Sequence, residues 1–322
     1  MEALWWLLGV AIEWVLYAGG VLFLLNFLTF LVPFLVHTYV FKAQDLKKKY
    51  GAKWALVTGG SSGIGRAIVE KLASQGVNVV IAALDDDFLR TLDVQSQYPE
   101  LEFRKVPVDL SSDGALETIA KATEDLDISL VFNNAGYIQI CMFAYTPLER
   151  QMKNIKVNAT VAVQITHHFV TRMIEKNLKG CVVFTSSPAG MMPCPFSAVY
   201  GCTKAFITEF AVSLAGEVRH HGIDVLVAHP SPVDTRFYAA PSADDSSSLA
   251  MFKKTAAPPT LLCDYMFRTV GRGTCVVNQG YFAFWQTVLF KILDASFFAA
   301  LLQHLAWTTD EFKTLTAKYK KE

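Results

Sequence analysis

Three side chains near the middle of the chain have the types and spacing needed to move a proton. Tyr200 and Lys204 lie four positions apart in residues 197–206, which predict a helix, so both face the same way. A free phenol loses its proton only at about pH 10, but an adjacent ammonium favours the phenolate and lowers this pKa. Ser187 ends a predicted strand upstream, where its hydroxyl could hold a carbonyl oxygen while Tyr200 protonates it. Because Tyr-Lys pairs also occur on ordinary surface helices, the interpretation depends on the rest of the chain.

A glycine-rich turn lies between the first predicted strand and an amphipathic helix. Gly59 permits the tight turn, Gly63 lets the backbone approach a pyrophosphate, and Gly65 lets helix and strand pack closely. The helix N-terminus then offers unpaired N–H groups to the phosphates. Residues 59–63 also satisfy the G-x-S-x-G pattern of hydrolases, with Ser61 as nucleophile, but that alternative leaves the Tyr-Lys pair without a role.

Further polar and glycine-containing segments close the later predicted strands. Asn133-Asn134-Ala135-Gly136 follows the fourth strand, residues 128–132, and Asn158 lies within a long apolar-periodic segment. Val233 and Thr235 follow the sixth strand, residues 224–228. These motifs, in this order around Ser187, Tyr200 and Lys204, resemble the short-chain dehydrogenase/reductase family.

The resemblance implies an α/β fold, a doubly wound, Rossmann-like parallel sheet that binds NAD(P)(H) at the carboxyl ends of its strands. It implies a catalytic tetrad of Asn158, Ser187, Tyr200 and Lys204, in which Lys204 also holds the nicotinamide ribose and Asn158 anchors a relay water. The implied cofactor contacts, besides Tyr200 and Lys204, are Thr58, Gly59, Ser61, Ser62, Gly63, Ile64, Gly65, Leu84, Asp85, Asp109, Leu110, Asn134, Ala135, Gly136, Pro230, Val233 and Thr235. Ser231 replaces a glycine of the family pattern.

The choice between NADH and NADPH stays open. In the family an acidic residue at the end of the second strand suits NAD(H), and an arginine just beyond it suits NADP(H). The chain has Ala83 and Leu84 at those two places, followed by an acidic run that should repel a 2′-phosphate. The membrane-bound reductases that the chain otherwise resembles usually take NADPH.

Composition predicts a membrane protein with membrane elements at both ends. The 322 residues are 52% hydrophobic, with a mean hydropathy of +0.31. No charge interrupts residues 14–41, a run longer than the roughly 20 residues of a spanning helix. The predicted divisions are an N-terminal anchor (1–41), a basic juxtamembrane linker (42–53), an NAD(P)-binding domain (54–280) and an apolar helical segment with a basic tail (281–322).

The basic residues after the anchor predict that the catalytic domain faces the cytosol. Residues 239–259 predict a loop acting as a flap, and residues 281–307 predict helices associated with the bilayer, the alternative being a homodimer interface. Lysines at 318 and 320 resemble a dilysine retrieval signal of the endoplasmic reticulum.

The expected partners are a lipid substrate and the bilayer. With 29 basic and 29 acidic side chains, the charge gives no reason to expect nucleic acid. The adjacent pairs His167-His168 and His220-His221 point apart on a helix, so no metal site is predicted, and the six scattered cysteines indicate reduced thiols.

The anchor, the tail and residues 173–195 are similar to those of membrane-bound 3-oxoacyl-CoA reductases and 17-beta-hydroxysteroid dehydrogenases. Met191, Met192 and Phe196 are candidates for the lining of an apolar substrate pocket. Two alternatives stay open, a 3-ketodihydrosphingosine reductase and a catalytically idle NAD(P)-binding scaffold on the endoplasmic reticulum or lipid droplets.

Overall fold

The centre of the protein is a parallel β-sheet of seven strands. The computed structural model describes residues 1–238 and 252–319. The strands are β1 (Trp54–Thr58), β2 (Asn78–Ala83), β3 (Phe103–Pro107), β4 (Ile128–Asn133), β5 (Gly180–Thr185), β6 (Ile223–Pro230) and β7 (Val276–Gln279). Their order is β3-β2-β1-β4-β5-β6-β7, with every neighbouring pair parallel. The order reverses direction between β1 and β4, so the predicted doubly wound, Rossmann-like fold is confirmed.

Twelve helices with described bounds accompany the strands. They are α1 (Glu2–Leu35), α2 (Leu46–Tyr50), α3 (Gly63–Ser74), α4 (Asp87–Arg90), α5 (Ala115–Ala122), α6 (Leu148–Ile155), α7 (Val161–Glu175), α8 (Ala198–Val218), α9 (Pro259–Thr269), α10 (Tyr281–Ile292), α11 (Ala295–Leu305) and α12 (Asp310–Tyr319). π-helical turns extend α1 over Val36–Val40 and join α6 to α7 over Lys156–Thr160. Short 3-10 turns include Pro188–Met191 and Arg236–Tyr238.

The two faces of the sheet carry separate apolar cores. Side chains alternate between the faces of a strand, so Val57 joins the core beneath α3 and α9, while Leu56 joins the core beneath α7 and α8. Phe267 of α9 and Phe169 of α7 are fully buried, one on each side. Parallel strands need such cover on both faces, which explains their nearly continuous apolar sequences.

The observed strand bounds differ little from the predicted ones. β4 continues one residue beyond its predicted end, through Asn133. β6 begins one residue early and continues to Pro230, because its end pairs with Asn278 and Gln279 of β7. That pairing is long-range and leaves no local pattern in the sequence.

The N-terminal helix is a candidate membrane span. The most apolar 18-residue stretch of Glu2–Val40 has a mean hydropathy of 2.2. None of the residues in that stretch is buried within the protein. Its end is fastened to the sheet domain: Thr38 accepts a hydrogen bond from Arg268 at its carbonyl oxygen (2.7 Å), and its hydroxyl lies 3.2 Å from that of Tyr265. The helix therefore leaves the domain at a defined place.

Residues 42–53, predicted as a basic juxtamembrane linker, lie against the sheet domain. Leu46 is fully buried in the core beneath α3 and α9. Lys47 donates to the Gly76 carbonyl (2.6 Å), and Lys49 donates to the Gly271 carbonyl (2.7 Å). Two of the lysines are thus occupied by the domain, because a buried leucine and short loops hold the segment against it.

The C-terminal helices lie against the N-terminal one. The Phe284 ring of α10 packs between Phe30 and Phe34, at centroid distances of 5.6 and 4.8 Å, and Lys291 donates to Asn26 (2.6 Å). α10 and the following helix, counted through Thr308, meet at 110°. The predicted flap lies mostly outside the described residues, as do the last three residues of the dilysine-like tail.

The turn from β1 into α3 provides a test of the fold. A Cβ on Gly65 would lie 2.1 Å from the backbone oxygen of Gly59, whereas a Cβ on Gly216 of α8 would meet open space. We expect Gly65→Ala to lower the free energy of unfolding by at least about 3 kcal/mol, because backbone cannot yield as a flexible side chain does. Gly216→Ala should raise it by up to about 1 kcal/mol. Urea unfolding followed by circular dichroism checks this, and equal midpoints for the two variants would contradict the packing described.

Candidate active site

A cavity of about 730 Å³ opens at the carboxyl ends of the strands, where the strand order reverses direction between β1 and β4. Open α/β sheets bind ligands at such a place. Most of the predicted site residues line it: Gly59, Ser61, Ser62, Gly63, Ile64, Leu84, Asp109, Leu110, Asn134, Ala135, Gly136, Ser187, Tyr200, Lys204, Pro230, Val233 and Thr235. Thr58, Gly65, Asp85 and Asn158 do not line it.

The glycine turn has the shape that a pyrophosphate requires. Gly59 and Gly63 adopt left-handed φ values of +64° and +55°. A Cβ on Gly63 would lie 2.8 Å from the Thr235 methyl carbon. Any side chain at position 63 would therefore crowd the space above the turn, which glycine leaves open. The first turn of α3 directs its N–H groups into this space, which fits the phosphates of a dinucleotide.

Thr58 and Asn134 hold the ends of three neighbouring strands together. The Thr58 hydroxyl accepts from the backbone N–H groups of Asn134 and Ala135, at 3.0 and 3.1 Å. The Asn134 amide donates to the Thr58 carbonyl (3.2 Å) and accepts from the Thr185 hydroxyl (3.1 Å). β1, β4 and β5 are thereby joined at the cavity floor, so Thr58 acts by positioning the lining residues.

Asn158 lies beneath the cavity in the π-helical turn between α6 and α7. Its side chain accepts from Tyr137 N (2.9 Å) and donates to Tyr137 O (3.0 Å) and to Asn154 (3.1 Å). A Cβ on Gly136 would lie 2.7 Å from Asn158 Oδ1 and 3.4 Å from Lys204 Nζ. The glycine therefore lets the asparagine and the lysine approach one another. Asn154 is fully buried and was missed, although its position one turn before Asn158 is visible in the sequence.

Ser187 and Tyr200 meet at the cavity wall. Ser187 caps the 3-10 turn Pro188–Met191, accepting from Ala189 N (3.2 Å). The neighbouring Ser186 donates to the Lys204 carbonyl (2.8 Å), which ties the end of β5 to α8. Ser187 and Tyr200 both line the cavity at this wall. The structure thus brings the predicted hydroxyl pair together.

Burial dominates the ionisation of the Tyr-Lys pair. Lys204 is only 4% exposed; its ammonium donates to the Thr185 carbonyl (2.9 Å), and burial lowers its pKa to about 8. Burial also raises the pKa of Tyr200, an effect that the nearby Ser187 hydroxyl only partly offsets. In the polypeptide alone, the expectation that Lys204 lowers the pKa of Tyr200 is therefore wrong. The Lys204 ammonium lies 5.7 Å from the centroid of the Tyr200 ring, and the effect of burial on the phenol is larger.

The two aspartates at the end of β2 differ in position. Asp85, a predicted cofactor contact, accepts from Arg90 (2.9 Å) and does not line the cavity, while the next residue, Asp86, lines it. On the adjoining edge, burial tends to raise the pKa of Asp109, but hydrogen bonds from Ser111 and the nearby Lys153 lower it overall. Asp109 is therefore held ionised beside the cavity.

Ser231 replaces the family glycine without strain. Its φ is not in the left-handed region. Its hydroxyl accepts from Ala283 N (3.1 Å) and its N–H donates to the Gln279 carbonyl (2.7 Å). The serine thereby joins the loop after β6 to the first turn of α10.

A second cavity of about 250 Å³ lies beside Tyr200. It is lined mainly by apolar and aromatic residues, among them Met142, Phe143, Tyr145, Phe196 and Phe312. The predicted lining residue Phe196 is present, with Phe312 of α12 at 6.2 Å between ring centroids. Met191 and Met192 line neither of the two cavities. The contribution of α12 comes from the far end of the chain and has no signal in the sequence.

Comparison with known proteins defines the family. The family model for short chain dehydrogenases matches residues 53–246. The chain is 30% identical to a very-long-chain 3-oxoacyl-CoA reductase-like protein of Arabidopsis thaliana over 71% of this chain and 75% of that one. The protein therefore belongs to the short-chain dehydrogenases and is an NAD(P)-dependent oxidoreductase. No histidine lines the larger cavity in the described part of the chain, which together with the family match disfavours the hydrolase alternative at Ser61.

Two further comparisons extend this result. The chain is 30% identical to a very-long-chain 3-oxoacyl-CoA reductase of Podospora anserina over 65% of this chain, and the match spans 63% of that protein, slightly less than two thirds. A solved structure of a 7beta-hydroxysteroid dehydrogenase superimposes with a TM-score of 0.69 at 28% identity, covering 77% of this chain and 95% of that one.

The lowered pKa of Lys204 leads to a test by pH. Because this pKa is about 8 in the folded protein against 10.5 ordinarily, the unfolded chain binds more protons between these values, and the free energy of unfolding rises with pH across them. Lys204→Met removes this dependence. We therefore compare the free energy of unfolding of the variant, minus that of wild type, at each pH. This difference should be largest below pH 8 and should fall by on the order of 3 kcal/mol by pH 10.5.

Urea unfolding at a series of pH values measures this difference. Lys121→Met, at an exposed position of α5, is the control and should show no comparable trend. A constant difference between Lys204→Met and wild type would show that the lysine is not desolvated as described.

Proposed function

We propose that the protein is a membrane-bound oxidoreductase that transfers a hydride between a nicotinamide cofactor and the ketone or secondary alcohol of a lipid. The substrate class that fits best is a 3-oxoacyl-CoA or a steroid. The observation that carries the lipid substrate is the position of α10, which contacts both the candidate membrane helix and the loops of the active site.

The cavity residues have defined roles in such a reaction. A bound nicotinamide supplies or accepts the hydride. Tyr200 donates or takes the proton of the substrate oxygen, and Ser187 hydrogen-bonds that oxygen as charge develops. Burial favours the protonated phenol, the form in which Tyr200 donates a proton during ketone reduction. Lys204 holds the nicotinamide ribose, and Asn158 anchors the water that connects Lys204 to solvent.

α10 connects the active site to the apolar surface of the protein. On one side Gln286 donates to the Pro188 carbonyl (2.8 Å), next to Ser187, and Ala283 N donates to Ser231 (3.1 Å). On the other side Phe284 packs against α1. Trp285 of α10 is 63% exposed and Phe297 of α11 58%, so the bent pair extends the apolar surface of α1. A substrate dissolved in the bilayer would therefore reach the site over a short path.

The second cavity supports a substrate with an apolar arm. Its aromatic lining adjoins Tyr200, so an oxygen held at Tyr200 would place one substituent of its carbon towards Phe196 and Phe312. The similar proteins named above as 3-oxoacyl-CoA reductase and 7beta-hydroxysteroid dehydrogenase act on lipids of this kind, by their names.

The proposed location is the endoplasmic reticulum membrane with the catalytic domain in the cytosol. The anchoring helix and the similarity to 3-oxoacyl-CoA reductases support a membrane. The exposed Lys42, Lys48 and Lys53, which follow the helix, support the cytosolic orientation.

Removing the phenol oxygen tests the proposed reaction. We expect Tyr200→Phe to lower kcat for ketone reduction by on the order of 10³-fold, because no other acid replaces it, while nicotinamide binding changes little. Tyr98→Phe, at the edge of the core beneath α3, is the matched control and should retain activity. The assay uses the full chain in lipid nanodiscs with 3-oxoacyl-CoA, steroid and sphingoid ketones.

The outcomes separate the alternatives. Activity with the sphingoid ketone alone would identify a 3-ketodihydrosphingosine reductase. Cofactor binding with wild type and Tyr200→Phe equally inert on all three classes would favour the idle scaffold and would contradict the proposal.

The membrane contact of α10 is tested through its tryptophan. In nanodiscs containing brominated lipid we expect fluorescence quenching of Trp285, so the quenched signal should decrease in Trp285→Phe. Trp54→Phe, on buried β1, should leave the quenched signal unchanged. If wild type and Trp285→Phe lose the same intensity on bromination, α10 does not lie at the bilayer.

A further inference from the structure

An arginine bridges the two walls of the larger cavity. Arg236 follows Thr235 in the loop after β6, and its guanidinium donates to Asp86 at the end of β2 (2.8 Å). The same guanidinium lies 4.2 Å from the centroid of the Phe88 ring. Arg236, Asp86 and Phe88 all line the cavity. The contact joins residues 150 positions apart, so no local sequence motif predicts it.

This bridge lies where the adenosine ribose of a dinucleotide is expected. In doubly wound sheets the end of the second strand receives that ribose, and the glycine turn receives the pyrophosphate. The Thr235 methyl group rests on Gly63 of that turn, so the next residue, Arg236, reaches from the phosphates towards β2. At β2 itself, Ala83 and Leu84 offer no side-chain hydrogen bond.

The other charges nearby are already satisfied without Arg236. Asp85 accepts from Arg90 through both its side chain (2.9 Å) and its carbonyl (3.2 Å). Asp86 caps α4 by accepting from Leu89 N (3.1 Å), so its carboxylate keeps a partner if the arginine turns away. On the arginine, the bond to Asp86 uses one of five N–H donors, and the side chain is 40% exposed. Arg236 can therefore change partner at small cost.

We propose that Arg236 binds the 2′-phosphate of the cofactor and so selects NADP(H) over NAD(H). A phosphate carries more charge than a carboxylate and accepts the planar guanidinium through two parallel hydrogen bonds. The Phe88 ring supports the guanidinium at 4.2 Å, and the N–H groups that do not bind Asp86 are available to the phosphate. The acidic run after β2 would by itself repel a 2′-phosphate, and Arg90, which pairs with Asp85 and Asp87, reduces this repulsion.

The test compares two ligands that differ only in this phosphate and contain no nicotinamide. Isothermal titration of the full chain in nanodiscs gives Kd for adenosine 5′-phosphate and for adenosine 2′,5′-bisphosphate. We expect wild type to bind the bisphosphate at least tenfold more tightly. Arg236→Gln should weaken the bisphosphate at least tenfold and change the monophosphate less than threefold. Asp86→Asn should bind the bisphosphate at least as tightly as wild type, because a competitor for the guanidinium is removed.

Arg104→Gln is the matched control. Arg104 also pairs with a carboxylate, Asp125 (2.7 Å), and lies 5.7 Å from the Trp54 ring, but it does not line the cavity. The variant should keep the wild-type ratio of the two affinities. Equal affinity of wild type for both ligands, an equal loss of both in Arg236→Gln, or weaker bisphosphate binding by Asp86→Asn would each overturn the proposal. None of these outcomes depends on the substrate proposed above.

Discussion

The desolvated ammonium of Lys204 is the constraint on which the rest of the site depends. It is held in the wall of the cavity by α8, with the Thr185 carbonyl as its hydrogen-bond partner among the described residues. Position 136 must be glycine for this arrangement, because a Cβ there would lie between the Asn158 and Lys204 side chains. A buried cation without a carboxylate is costly, and its lowered pKa expresses that cost. A site that tolerates this cost is prepared for a ligand that supplies oxygen acceptors, as a ribose does.

The scaffold keeps this arrangement rigid through the ends of its strands. Thr58, Asn134 and Thr185 join β1, β4 and β5 directly beneath the cavity, and Ser186 ties β5 to α8. Apart from the Thr185–Asn134 side-chain contact, these bonds use backbone groups, and they lie at the carboxyl ends of the strands, where pairing partners within the sheet run out. The same edge receives α10 through Gln286 and Ser231, so the catalytic loops and the apolar helices form one connected unit.

The sequence predicts those features that depend on local chemistry. The glycine turn and the positions of Ser187 and Tyr200 in one cavity wall follow from residue types and short spacing. Contacts between residues far apart in the chain could not be predicted in this way. Arg236 reaches Asp86 across the cavity, α12 closes the second cavity with Phe312, and Leu46 draws the supposed linker into the core. The pKa of Tyr200 was misjudged for a related reason, since the degree of burial of a helix face depends on everything packed against it.

The central claim is that one buried phenol changes its ionisation when the lysine beside it gains ribose hydroxyls as partners. The most direct measurement is a pH titration of tyrosine labelled with ¹³C at Cζ, without and with NADP⁺, with Tyr200→Phe to assign the resonance. The account predicts a pKa above 10 for Tyr200 in the protein alone and a pKa below 10 in the complex, because the bound ribose holds the ammonium protonated one helical turn away. A Tyr200 resonance that titrates above 10 in both samples would contradict it.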